Sequence, residues 1–412
     1  MIKLKIKFKN EEGTNFLYKL LANSFLAYMN RYESTKYPKT VYAIKTTIKK
    51  FEDKLKNELN GPFFANASSL MENRLLKKKH YMYGAYLAAI SSFPILSKAC
   101  KDKYLNILNS ILAKTSAITS IKVLDNINDR LHEKFQAINS LKKYLEAFTD
   151  EDFKFNEPKD SIEKFENSCF MMARWTYELV REGLSVSSPT FQMYKEDFER
   201  CIIGQIRSTN QKKNEEEPTK LGIREYLEQV NEKGVGRIWL DIDFCFFEKS
   251  LEFLDDCELE AIQNIRIASD YIFKSSNIYD DVIDLNEDIS LGILNSVAFL
   301  ALDRGYISEA DLSDLNKLTI KLKKDYILEE VIQLGDLILL RGLKYLFKAK
   351  QITKMMDIDA LIFSTRISRA FTIRKWLIRE KSIKSMKNIL KSFDAFHTYS
   401  IPDCIKVYEK FV

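Results

Sequence analysis

"SSNIYDDVIDLNEDISLGILNSV", residues 275–297, places five acidic side chains within the nine positions 280–288, inside a stretch otherwise rich in Ile, Leu and Val. On a helix, Asp280 and Asp284 stand one turn apart on one side, and Asp288 follows a turn later, displaced by less than a quarter of the circumference. Asp281 and Glu287 flank that row. Like charges at this spacing destabilise a helix by about 0.2–0.5 kcal/mol per pair. Where the face is also partly buried, each uncompensated ion costs several kcal/mol more. The row therefore calls for positive charge. Hard divalent cations such as Mg²⁺ take carboxylate oxygens, keep several waters and share their remaining positions with phosphate, so the face suits a metal and diphosphate dock. A solvated acidic stripe with Lys neighbours is the competing reading of the cluster taken alone.

A second stretch bears on that choice. "VLDNINDRLHEKF", residues 123–135, sets Asp125 and Asp129 at i and i+4 inside another periodic apolar helix. Two acidic helices facing each other across a bundle can hold a metal cluster between them. The three histidines, His80, His132 and His397, are scattered, so a zinc or di-iron site built on Glu-x-x-His has no support.

The rest of the chain supplies helices for such a bundle. With 12 Gly and 7 Pro in 412 residues, turn-formers are too few to punctuate a many-stranded fold, and the expectation is nearly all helix. The length allows one large domain or two ordinary ones. "FLYKLLANSFLAYM" (16–29) and "KYLNILNSILAKTSAITSIKVL" (103–124) repeat apolar positions every three or four residues, as amphipathic helices do. "NGPFFANASS" (60–69) is the clearest early break, and it divides an N-terminal helical extension, 1–67, from a main domain, 68–412. "FTDEDFKFNEPKD" (148–160) reads as a loop with a helix starting near Ser161, and "TNQKKNEEEP" (209–218) as a solvated connector. Gly234 and Gly236 break or bend a helix between "REYLEQV" and "RIWLDIDFCFFEKSLEFL", and 310–412 carries several further amphipathic helices. The opening "MIKLKIKFKN" alternates apolar residues and Lys with period two, which suits a strand or an ordered arm.

The net charge of +6 is dispersed along the chain, so nothing in it calls for nucleic acid as a partner. Six cysteines show no C-x-x-C spacing and no secretory leader is evident, which implies free buried thiols and a cytoplasmic protein. The longest nearly uncharged run, "YMYGAYLAAISSFPIL" (81–96), is short for a spanning helix and is interrupted by Pro94, so stable membrane insertion is not expected.

These residues resemble the class I terpenoid synthases, and most of all the microbial terpene cyclases: all-α helical bundles with a central active-site cavity. "DNIND" resembles the first acidic motif of that family, DDxxD, with Asp125 and Asp129 in the outer positions and Asn126 in place of the second Asp. "DDVIDLNED" resembles the second, NDxxSxxxE, with Asp280, Asp284 and Asp288 in the three liganding positions, each substituted yet each keeping an oxygen donor. "FQMYKEDFERCIIGQIRSTN" followed by "PTKLGIREYL" is similar to the family's aromatic helix, Pro and Glu-Tyr-Leu start, here Glu225, Tyr226 and Leu227. "NEKGVG" falls where the family's helix breaks beside the diphosphate, and Gly292, Asn295, Ser296 and Val297 match the continuation after the second motif. The resemblance spans roughly residues 80–350 in organisation, and its specific part is the second motif with its surroundings.

The resemblance implies a lyase of isoprenoid biosynthesis, a terpene synthase that ionises a linear prenyl diphosphate, farnesyl or geranylgeranyl or similar, and releases diphosphate. It implies three Mg²⁺ ions, with Mn²⁺ as a substitute, held by Asp125, Asp129, Asp280, Asp284 and Asp288. Asp125, Asp280 and Asp284 would be central to catalysis, and Arg207, Lys233 and Arg237 would bind the diphosphate. A homodimer is compatible with it. Val230 stands where the family often carries a diphosphate-sensing Arg, and no Arg-Tyr pair lies near the C-terminus, Arg341 with Tyr345 or Arg366 being the nearest candidates. Phe170, Trp175, Tyr177, Trp239, Phe244 and Phe247 are wall candidates for a carbocation pocket, although such residues at helical spacing more often build a core. Two alternatives stand beside the cyclase. One is a prenyltransferase of the isoprenyl diphosphate synthase or squalene and phytoene synthase type. The other is a non-catalytic helical relative.

Overall fold

The computed structural model describes residues 36–100, 103–209, 222–230, 236–373 and 400–412. Among these residues the regular structure is helical throughout, with no strand. The "MIKLKIKFKN" arm and most of the 209–218 connector lie outside the described residues. The first helices are α1 (Lys36–Glu58), the short α2 (Ala67–Glu72), α3 (Lys78–Leu96), α4 (Tyr104–Arg130), α5 (Lys134–Thr149), α6 (Ser161–Arg181) and α7 (Pro189–Thr209). Then follow α8 (Ile223–Val230), α9 (Gly236–Ser250), α10 (Asp256–Ser290) and α11 (Ser296–Asp303). The last are α12 (Leu315–Leu322), α13 (Asp325–Ile352), α14 (Ile358–Thr372) and the single turn α15 (Asp403–Lys406).

Local chemistry sets several of these boundaries. Asp160 accepts a hydrogen bond from the Glu163 amide at 2.9 Å and starts α6 at Ser161, where the sequence places it. Asp255 does the same for the 35-residue α10 through the Glu258 amide at 2.8 Å. Each such cap satisfies a backbone donor that the first turn leaves without a partner. Pro94 departs from expectation: it sits in the last turn of α3 without ending it. Its carbonyl accepts from the Asp357 amide at 2.8 Å, tying the end of α3 to the residue just before α14.

The helices pack around two hydrophobic centres. The first joins α1, α3–α7, α9 and the first half of α10, with Phe51 of α1 edge-on to Trp175 of α6 at 5.8 Å. Both rings are fully buried, and truncating such an aromatic to Ala typically costs about 3–5 kcal/mol. The helix just before the 60–69 break is thus seated in the same core as the main domain. The second centre joins α8, the second half of α10, α11, α12 and the first half of α13. α10 runs through both and lies along α13, while α9 packs against α3, α4, α7 and α10. Among the described residues α4 alone is long and apolar enough to cross a membrane by length and composition, and 78% of its apolar window is buried inside the bundle.

All six cysteines are free: Cys100, Cys169, Cys201 and Cys245 are buried as expected, whereas Cys257 is exposed and Cys404 half-buried. Gly335 of α13 faces the Tyr279 ring so closely that a Cβ there would collide with it. The gap lets the Tyr279 hydroxyl donate to Asp336 at 2.6 Å, an acid that Arg369 of α14 also grips at 2.6 and 2.8 Å. Those bonds fix the rotation of α10 one residue before Asp280.

Candidate active site

The acidic end of α10 is shaped by the turn that follows it. Gly292 takes a positive φ of 71°, and the Ile293 amide donates back to the Asp288 carbonyl at 2.9 Å, the closure in which Gly best tolerates the left-handed backbone. The chain then doubles back onto the helix it has just left. Asn295 Nδ2 donates to an Asp288 carboxylate oxygen at 2.8 Å and to the Asp281 carbonyl at 3.1 Å. The Ser296 amide donates to the Asp281 carboxylate at 3.0 Å, and the Tyr226 hydroxyl, coming from α8, donates to it at 2.7 Å.

Asp281 is therefore the acid whose surroundings are most fully built, although the sequence places it beside the row of candidate ligands. Burial pushes its pKa up to about 6; hydrogen bonds from Ser296 and Tyr226 oppose that shift, and the charge of Asp288 adds to it. Burial also raises Asp288, opposed by Asn295 and reinforced by Asp284 and Glu287. Asp280 is exposed, and Asp284 and Asp288 are half-buried. The second row is thus a set of crowded, partly desolvated carboxylates in which Asp281 and Asp288 are held by neutral donors.

On α4, Asp125 keeps about half of its side chain open, at 48%, and pairs with Lys122 at 3.3 Å. Its pKa is nevertheless raised, first by desolvation and last by the neighbouring Asp129, with Lys122 opposing. Its charge acts on the buried Tyr144, Cys169 and Cys201 of α5, α6 and α7. Asp129 is exposed. Asn126 turns elsewhere, donating from Nδ2 to the Leu75 carbonyl at 2.9 Å in the turn before α3.

The two acidic helices both pack against α9, through Ser110 and Lys114 of α4 and Arg266 and Asp270 of α10, at positions away from the acidic rows. Among the described residues no three His, Cys, Asp or Glu side chains are gathered into a preformed metal cage. Mg²⁺ does not require one, since it retains waters and completes its shell with phosphate oxygens. The hard-oxygen donors on one face of α10, together with Asp125 and Asp129, fit that chemistry.

Of the basic candidates, Lys233 and the side chain of Arg207 lie outside the described residues. Arg237 is already engaged: its Nε donates to Asp270 at 2.8 Å and a terminal nitrogen lies 3.7 Å from Asp197. The network continues through Arg266, which pairs with Asp197 at 2.6 Å and Asp241 at 3.1 Å, and so links α7, α9 and α10.

Five of the aromatic wall candidates, Phe170, Trp175, Tyr177, Phe244 and Phe247, are buried core residues. Trp239 is half-buried, its indole N–H donating to Ser91 at 2.9 Å and its ring lying 4.6 Å beneath the Lys114 ammonium. Lys114 is fully buried, paired with Asp243, which also accepts from Ser92 and Ser110 at 2.6 Å each. Lys114 stands about three turns before Asp125 on the same face of α4. A Lys in phase with the acidic motif inside an apolar helix was the available signal for it; its partner, on α9, had none.

No protein-family model matches the chain, and no curated protein does. Solved structures are similar to it over most of its length. A variant of the SVS_A2 protein from ancestral sequence reconstruction shares 14% identity, with 82% of this chain and 84% of that one covered and a TM-score of 0.49. Geranylgeranyl pyrophosphate synthetase from the archaeon Geoglobus acetivorans shares 16%, covering 81% and 98%, with a TM-score of 0.44. A variant of cucumene synthase shares 9%, covering 80% and 92%, with a TM-score of 0.41. The neighbours thus include both terpene-forming and prenyl-diphosphate-forming enzymes. At these scores the residues of the site, and not the likeness, carry the functional reading.

Proposed function

We propose that this chain is a Mg²⁺-dependent class I isoprenoid enzyme of the terpene cyclase kind, acting on a linear prenyl diphosphate. One observation carries the reading: two aspartate-bearing helices pack against a shared third helix, and on both of them burial raises carboxylate pKa values. Desolvated carboxylates that neutral donors hold in place gain most from a hard cation.

In this reading Asp280, Asp284 and Asp288 hold metal from one side, and Asp125 and Asp129 from the other. Mg²⁺ held by these residues would supply the positive charge that offsets the charge developing on the departing diphosphate. The allylic C–O bond breaks heterolytically, its electron pair leaves with the diphosphate, and the carbocation cyclises and then loses a proton or captures water. Asp281 keeps the loop at 291–296 against α10 through Ser296 and anchors α8 through Tyr226, so the row of ligands is braced from two directions. Lys233 and Arg207 are candidates for contacting diphosphate, while Arg237 would exchange Asp270 for phosphate.

The experiment is a product assay. The protein with Mg²⁺ is given geranyl, farnesyl or geranylgeranyl diphosphate, alone and then with isopentenyl diphosphate, and products are read by mass spectrometry. A hydrocarbon or terpene alcohol from a single prenyl diphosphate supports the cyclase. A longer diphosphate formed only with isopentenyl diphosphate makes it a prenyltransferase, and no turnover of any substrate overturns the enzymatic reading.

A further inference from the structure

Lys274 on α10 is 99% withdrawn from solvent, at 1% exposure, and its ammonium has no hydrogen-bond partner among the described residues. An ammonium carries three donors, and a buried one without an acceptor is among the most unfavourable groups a core can contain. Its position is not random. Steps of seven residues, close to two full turns, place Lys274, Asp281 and Asp288 along one stripe of α10. α8 lies beside that stripe, with Tyr226 on Asp281 and Glu228 among the charges that act on Lys274.

The charges facing Lys274 are Arg341 of α13, Glu228 of α8 and Asp270 of α10. Asp270 is held by Arg237 at 2.8 Å and lies 3.7 Å from Arg200. Glu228 is more than half exposed and pairs with Arg224 at 3.2 Å. Arg341 adds a second cation, poised 5.5 Å over the Tyr271 ring with one nitrogen donating to the Glu409 carbonyl at 2.8 Å. The buried Lys274 and the half-buried Arg341 thus act on one another while their nearby carboxylates are already engaged, and α8 beside them ends at Val230, which supplies no charge.

We infer that Lys274, with Arg341 beside it, is the cation pair that receives the diphosphate group of the substrate. The inference rests on the prenyl-diphosphate reading above and adds two anion-binding residues to the candidates named there. The acidic face of α10 would hold the metal that accompanies the diphosphate, and the Lys274 ammonium gains the acceptor it is missing when the diphosphate arrives.

Calorimetric titration with inorganic diphosphate in the presence of Mg²⁺ tests it, using the full chain, Lys274→Met and Arg341→Gln. Lys274→Met keeps the volume and removes the buried charge, so the unliganded variant melts no lower than the parent. Its affinity for diphosphate falls at least tenfold, the loss that follows from removing one hydrogen bond to a charged group. Arg341→Gln, at a half-buried position, falls in the same direction and decides the matter alone if Lys274→Met does not fold. Unchanged affinity in a folded Lys274→Met, or in Arg341→Gln in its stead, overturns the inference and leaves the enzyme class standing. Failure of the unaltered chain to bind diphosphate overturns both.

Discussion

Replacing Asp281 by Asn separates its charge from its hydrogen bonds. The Asn carbonyl still accepts from Tyr226 and Ser296, which reach Asp281 at 2.7 and 3.0 Å, but the side chain no longer ionises. Burial raises Asp281 from 3.8 to about 6. Between those values the folded chain retains a proton that the unfolded chain has released, so stability falls as pH rises through the window and is level above it. Two pKa units correspond to about 3 kcal/mol, and partial access of solvent to the side chain reduces this to about 2 kcal/mol. For 412 residues the unfolding entropy is roughly 0.9 kcal/mol per kelvin, so the penalty equals about 2 °C in Tm. The assay is a series of calorimetric melts from pH 4 to 7.5 in chelator. Asp125 titrates in both proteins and cancels in the difference, and the coupling of Asp281 to Asp288, the smallest of the influences on Asp281, changes it little. The Tm of Asp281→Asn should gain about 2 °C on the parent between pH 4 and 7, and parallel curves across that range would refute the assignment of a desolvated acid at this position.

Asp284→Ala removes one candidate ligand from a half-buried site and should lower turnover by more than about 100-fold, the upper end of what losing an outer-shell metal partner costs, with helical circular dichroism unchanged; full activity contradicts its role. Asn126→Asp deletes the donor to Leu75 and sets a carboxylate against a carbonyl, so urea unfolding should show a loss of about 1–3 kcal/mol, and an unshifted midpoint would remove that contact from the account. Asp243→Ala leaves the buried Lys114 ammonium uncompensated and should cost about 3–5 kcal/mol, whereas Lys114→Met with Asp243→Leu costs far less because both charges leave together. A double variant as unstable as the single one would show that the loss comes from packing.

The helical class was legible because it depends on local features: few Gly and Pro, apolar residues at three- and four-residue spacing, and an Asp before Ser161 that caps a helix. The acidic rows were legible for the same reason, since side chains at i and i+4 meet on any helix. Their surroundings were not. Whether Asn126 joins Asp125 or turns to Leu75 depends on where the chain before α3 passes, and periodicity carries no information about that. The pairing of Lys114 with Asp243 spans 129 positions and that of Asp197 with Arg266 spans 69, so each is a consequence of how helices cross. Pro94 misled in the opposite direction: it removes the amide that would donate to the Ile90 carbonyl, yet the helix runs to Leu96.

The placement of charge distinguishes structural from functional groups in this bundle. Lys114 with Asp243, and Arg369 with Asp336, are buried pairs in which each cation meets its acid directly, and folding alone accounts for such arrangements. The stripe of α10 that carries Lys274, Asp281 and Asp288 is different. Its acids are satisfied by Tyr226, Ser296 and Asn295, which leave their negative charge uncancelled, and its ammonium is satisfied by no described partner. Apolar residues at these three positions would give a more stable helix, because burial penalises each ion and no internal pairing repays it. Charges of both signs kept apart on one stripe suit a ligand that brings both signs with it, as a magnesium diphosphate would: the metal would meet Asp288 with its row, braced by Asp281, and the phosphate oxygens would meet the ammonium.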